Sequence, residues 1–108
     1  MNPCVSRCAL VLALLLASAG TLLAHSPMFT CFDDGSGRIQ CEGAFSDGSS
    51  AAGSVIEVRD AAGRNLLSGK LDADGEFSFE RPAGAYLILF DGGPGHRVEL
   101  PSAEVPKW

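Results

Sequence analysis

The sequence predicts an all-β protein, a seven-stranded β-sandwich over residues 25–108 behind a cleaved leader over residues 1–24. Beyond residue 24, no run of apolar residues repeats at helical spacing. Short runs rich in branched and aromatic residues alternate instead with Gly- and Asp-containing turns. About seven such runs at roughly 8–12-residue spacing form the pattern of an immunoglobulin-like sandwich. Within the runs, apolar and polar side chains alternate with the period of two that gives each strand one buried face.

The leader comes first. Arg7 is its only charged side chain, and the stretch from Ala9 to Ala24 is apolar except at Ser18, Gly20 and Thr21. A short positive segment, an apolar segment and small residues, in that order, read as a secretory signal peptide. The apolar run is shorter than the ~20 residues a membrane-spanning helix needs. Ala17-Ser-Ala19 and Leu22-Leu-Ala24 both offer small-residue cut sites, which would leave Gly20 or His25 at the new terminus. The expected location is therefore periplasmic or secreted, with the body soluble once the leader is removed.

That body of 84 residues carries 7 Lys+Arg against 13 Asp+Glu, a formal charge of −6. An acidic domain without a basic patch does not suit nucleic acid, because phosphate contacts supply most of that affinity. It is too short for a Rossmann fold or a TIM barrel. At this size the hydrophobic core is marginal, so some extra staple is expected.

The strands are expected at 28–32, 38–45, 54–60, 65–71, 76–80, 85–90 and 96–100. Between them lie segments such as Asp33-Asp-Gly-Ser-Gly, Ser46-Asp-Gly-Ser-Ser, Asp72-Ala-Asp-Gly and Asp91-Gly-Gly-Pro-Gly. Gly supplies positive φ and Asp caps its own turn, so these are turn signals with a mechanism. In the third run Ile56 and Val58 alternate with Val55, Glu57 and Arg59; in the fifth, Phe77 and Phe79 alternate with Glu76, Ser78 and Glu80. Tyr86 to Phe90 is nearly continuously apolar, as a central strand would be.

Cys4 and Cys8 leave with the leader, so Cys31 and Cys41 remain in an oxidising compartment. If the first hairpin turns at Gly35-Ser-Gly37, residues whose numbers sum to 72 face each other, and Cys31 and Cys41 do so. A cross-strand disulfide is the expectation, with a thiolate metal site as the alternative.

Catalytic motifs are scarce. There is no G-x-S-x-G, and Gly63 to Lys70 is one residue too long for a P-loop, with Leu71 in place of Ser/Thr. Asp72-Ala-Asp-Gly75 places its Gly too early for an EF-hand, and no Glu closes the loop. The expectation is a protein that is not an enzyme. The two histidines are the informative residues, because imidazole suits nickel, cobalt and copper. His25 would open the mature chain and offer its amine and Nδ1 to one ion, with His96 as a third nitrogen. Pro27 has no amide N–H, so a chelate through successive backbone amides must stop at Ser26. Met28 would add a soft thioether, which favours copper. The alternatives are two surface histidines on a metal-free interaction module working through an exposed edge strand.

Gly69-Lys-Leu-Asp-Ala-Asp-Gly-Glu-Phe-Ser-Phe, followed by Pro82-Ala-Gly-Ala-Tyr86 and a hydrophobic strand, resembles the carboxypeptidase regulatory-like (transthyretin-like) β-sandwich. A longer set of segments resembles the small periplasmic accessory proteins of energy-coupling-factor nickel and cobalt transporters. These are His25, Glu42-Gly-Ala-Phe-Ser-Asp-Gly-Ser, Val58-Arg-Asp-Ala-Ala-Gly-Arg-Asn-Leu-Leu-Ser-Gly-Lys, Asp74-Gly-Glu-Phe-Ser-Phe and Asp91-Gly-Gly-Pro-Gly-His-Arg-Val-Glu. The resemblance implies a non-enzymatic role in nickel or cobalt uptake, with a membrane metal transporter as partner. It makes His25 and His96 the metal ligands, and it matches Arg97 and Glu99 without assigning them a role. The chain departs from the family pattern at His25-Ser-Pro-Met28 and in having the Cys31/Cys41 pair.

Overall fold

The computed structural model describes residues 25–108; the leader, its two cut sites, Cys4 and Cys8 lie outside the described residues. Seven strands form in chain order: β1 (Pro27–Asp33), β2 (Arg38–Phe45), β3 (Val55–Asp60), β4 (Asn65–Lys70), β5 (Glu76–Glu80), β6 (Tyr86–Asp91) and β7 (Arg97–Pro101). One turn of 3-10 helix, Ser102–Glu104, follows. The strands make a three-stranded sheet in the order β1-β2-β5 and a four-stranded sheet in the order β4-β3-β6-β7, with every pairing between strands antiparallel. The chain crosses between sheets after β2, β4 and β5, while β1–β2, β3–β4 and β6–β7 are neighbours within one sheet. Among the described residues, no helix is long and apolar enough to cross a membrane.

The alternation of side chains settles which face of each sheet is inside. Ile56 and Val58 of β3, Ile88 and Phe90 of β6 and Ile39 of β2 are the most deeply buried large side chains, and they meet between the sheets. β6 is flanked by β3 and β7, the central place its apolar run suggested. Its second face, Leu87 and Leu89, is only half-buried.

The β1–β2 register pairs residues that sum to 72, from Pro27 with Phe45 to Asp33 with Ile39, and Cys31 faces Cys41. Their Cα atoms are 4.1 Å apart and the sulfurs are bonded. That close spacing belongs to the non-hydrogen-bonded pairs of an antiparallel ladder, where opposed side chains approach most nearly. Period two then turns the backbone of Asp33 toward the open edge of β1, where its N–H bonds Pro106 O at 2.8 Å and its C=O accepts from Trp108 N at 3.0 Å. The chain end thus adds a single parallel bridge beside β1, and the Trp108 ring lies 5.2 Å from that of Phe32. Nothing in the local sequence pattern of 105–108 signals this contact.

Asp33 is the only buried charged residue among those described, and it is fully engaged. One carboxylate oxygen accepts from Gly35 N at 2.9 Å, and the other pairs with Arg81 Nη1 at 2.7 Å. The Gly35 amide, followed by the Arg81 guanidinium, holds its carboxyl below the ordinary aspartate range. The neighbouring Asp34 is pulled down to about 2 by the hydroxyl and amide of Ser36 and by Gln40.

Two outcomes test this account. Replacing both Cys31 and Cys41 with Ala should lower unfolding free energy by about 2–3 kcal/mol, the loop-closure value for a span of this size, in urea titrations. Both Asp33 and Asp34 have folded pKa values below the unfolded aspartate value of ~3.9. Their stabilisation is complete above that value and disappears as pH falls through the folded values. The urea midpoint should therefore drop between about pH 4 and pH 2, and less steeply in Asp33→Asn.

Candidate metal centre

Three separate pieces of chain meet at the end of the sandwich where β1 begins. The first is the start of β1 itself. Ser26 N donates to Ser46 Oγ at 2.9 Å and Ser46 N donates to Ser26 O at 2.9 Å, so the sum-72 register runs on past the last strand pair. One residue further, His25 faces Asp47, and His25 Nδ1 lies 2.8 Å from Asp47 Oδ2.

The second piece is the turn after β2. Asp47 Oδ1 accepts from the amide of Ser49 at 2.9 Å and from its hydroxyl at 2.6 Å. These two donors, ahead of the charge of His25, hold the Asp47 carboxyl below its ordinary range. One oxygen is thus committed to the turn, and the other is aimed at the imidazole.

The third piece is the β6–β7 connection. Gly93-Pro94-Gly95-His96 closes with His96 N on Gly93 O at 2.9 Å, with Gly95 at φ 77°, the pattern of a type II turn. His96 therefore belongs to the turn, and β7 starts at Arg97, one residue later than the sequence suggested. Gly92 lets this loop lie against the core: a Cβ there would stand 2.9 Å from the Phe90 ring and 3.1 Å from that of Phe45. The turn sets the His96 ring edge-on to Phe45 at 5.6 Å and brings its Nε2 3.0 Å from His25 O.

The two histidines thus come together from 71 residues apart, with ring centroids 6.4 Å apart at 80°. Phe45 is their shared wall, meeting His25 at 6.4 Å and Phe90 of the core at 6.4 Å. A carboxylate can only accept, so Asp47 calls for a proton on His25 Nδ1. A carbonyl oxygen can only accept too, so the His96 contact calls for a proton on Nε2. The Nδ1 of His25, which the sequence reading assigned to an amine chelate, is engaged by Asp47 instead.

Other singled-out residues lie elsewhere. Met28 pairs with Ala44 and is 59% exposed, on the face of the sheet opposite to Phe45, so its thioether does not join the histidines. Arg97 and Glu99 alternate with inward-packed Val98 and lie on the outer face of the four-stranded sheet. There they border a shallow hollow of about 160 Å³ with Glu57, Arg59 and Asp91, and Arg97 pairs with Asp91 at 3.2 Å. Cys31 and Cys41 are bonded to each other, which excludes them as thiolate ligands. Among the described residues, no group of three or more His, Cys, Asp or Glu side chains forms a ready-made metal cage. Asp47 is the residue that sequence reasoning missed, although carrying the sum-72 rule two residues beyond Pro27 would have found it.

No protein-family profile, curated relative or solved structure matches this chain.

Gly95→Ala should cost about 1–2 kcal/mol, the price of placing a Cβ in the left-handed region. The His96 ring resonances should shift in the same variant, whereas Gly63→Ala, which forces the same left-handed strain into the distant β3–β4 turn, should leave them in place.

Proposed function

We propose that this is an extracytoplasmic β-sandwich that holds a divalent transition metal between His25 and His96 and serves nickel or cobalt uptake. The observation that carries the reading is the convergence of the only two histidines of the chain at one end of the sandwich, with Asp47 behind one of them. The resemblance of the Gly95-His-Arg-Val-Glu99 segment and of His25 to nickel and cobalt transporter accessory proteins supports the choice of metal. Two imidazoles on one ion have centroids roughly 5 Å apart, given metal–nitrogen bonds of about 2.1 Å. The 6.4 Å seen here needs an inward movement of roughly 1 Å, within reach of χ rotation for a His25 side chain that is 58% exposed. The two protein nitrogens leave coordination positions for water or for a donor from a membrane transporter, the partner that would take the ion onward.

A copper carrier is the second metal assignment. Copper binds most tightly to almost any nitrogen site, so affinity alone does not separate the metals. The position of Met28 gives copper no added thioether. The metal that restores growth of a deletion strain decides this point.

In calorimetric titrations with nickel, the wild-type chain should bind one ion. His25→Ala and His96→Ala should each weaken binding at least about tenfold, since losing even the partner that orients a ligand typically costs that much, with the disulfide and the urea midpoint retained. If both variants titrate like wild type with nickel, cobalt and copper, the metal reading fails. The metal-free interaction module then takes its place, with the β4 edge and its 48%-exposed Leu66 as the surface to examine.

A further inference from the structure

The proposed metal reading leaves open which atoms of the two histidines face the ion, and the contacts around them bear on that choice. We infer that Asp47 and the main-chain carbonyl of His25 fix the two imidazoles in opposite tautomers. The site then presents Nε2 of His25 and Nδ1 of His96, and it requires no free N-terminal amine. This rests on the metal reading for its ion but not for its tautomers.

Asp47 is well placed for the task because its carboxylate has no freedom to turn away. Oδ1 is bound by the amide and hydroxyl of Ser49, and the turn is closed by Gly48 N on Phe45 O at 3.0 Å. On the other side, the backbone that carries His25 is held across from it, because Ser26 and Ser46 are bonded in both directions. With Nδ1 protonated and occupied, the nitrogen of His25 left with a lone pair is Nε2. In His96 the order is reversed, since Nε2 donates to His25 O and Nδ1 keeps the lone pair. A carboxylate on the far nitrogen of a metal-binding imidazole orients the ring and raises its basicity, and losing such a partner typically weakens the metal about 10–100-fold. Asp47 is therefore a positioning residue. Because the amine takes no part, a chain with residues retained before His25 binds as a chain that begins there.

Long-range nitrogen–proton NMR correlation of the metal-free protein, at about pH 9 where imidazole is neutral, reads the tautomers directly. Wild type should show His25 protonated on Nδ1 and His96 on Nε2. Asp47→Ala should move His25 to the Nε2-protonated form that free imidazole prefers. Ser49→Ala, which loosens the turn but keeps the carboxylate, should leave the tautomer as in wild type. In nickel titrations, Asp47→Ala should lose about tenfold or more in affinity, and chains beginning at Gly20 and at His25 should agree within about threefold. An Nε2-protonated His25 in wild type, or a tautomer unmoved by Asp47→Ala, overturns the inference. So does a chain beginning at His25 that binds far more tightly than one beginning at Gly20. The expected tautomers together with nickel binding indifferent to both histidines would instead overturn the metal reading and leave Asp47 as the group that orients His25.

Discussion

The antiparallel register of the first hairpin is the constraint on which the rest of this molecule hangs. Pairing residues that sum to 72 puts Cys31 against Cys41 in the middle of the ladder, where the disulfide makes slippage impossible without breaking a covalent bond. A slip of β1 by one residue would send Phe29 and Cys31 to the outer face and remove that strand's share of the core. The same register acts at both ends of β1. At one end it turns the backbone of Asp33 outward to receive the chain terminus, and at the other it sets His25 across from Asp47.

Those two ends solve different physical problems. Around Asp33 a buried carboxylate is surrounded by donors from the β1–β2 turn and by Arg81 from the β5–β6 connection, while the terminal residues bond its backbone. Among the described residues no buried side-chain polar atom lacks a partner, as a buried group requires. The arrangement ties two loops and the chain end into one unit. The His25 end is half-exposed, and its polar groups are oriented more than they are consumed. Phe45 links it to the core through Phe90, so the imidazoles rest against a ring that itself packs on the core.

Much of the fold was legible because a strand with one buried face must alternate. All seven runs appear as strands, with ends displaced by a residue or so where turn chemistry takes over. His96 shows why such ends are hard to read. Its side chain suits a strand, yet its amide is needed to close the Pro94-Gly95 turn, and the turn decides. The Cys31–Cys41 pair was legible because a short hairpin with a glycine turn has only one symmetric register. The histidine pairing was not legible in that way, since nothing in a pattern of period two says which loops share an end of the sandwich. Arg97 and Glu99 sit close to His96 in sequence but point to the outer sheet face, because β7 begins at Arg97 and its alternation turns these two outward while His96 stays in the preceding turn.

Local matters can be read along the chain: where strands run, which faces are apolar, where glycine permits a turn, and which residues the first hairpin sets opposite one another. These follow from sterics and hydrophobic patterning over a few residues. Long-range contacts come from the assembled sandwich. It brought His96 to His25 across 71 residues, Arg81 to Asp33 across 48, and Trp108 to the edge of β1. Such contacts depend on the order in which strands join the two sheets. That order is set by the packing of the whole core, and no local stretch of sequence records it.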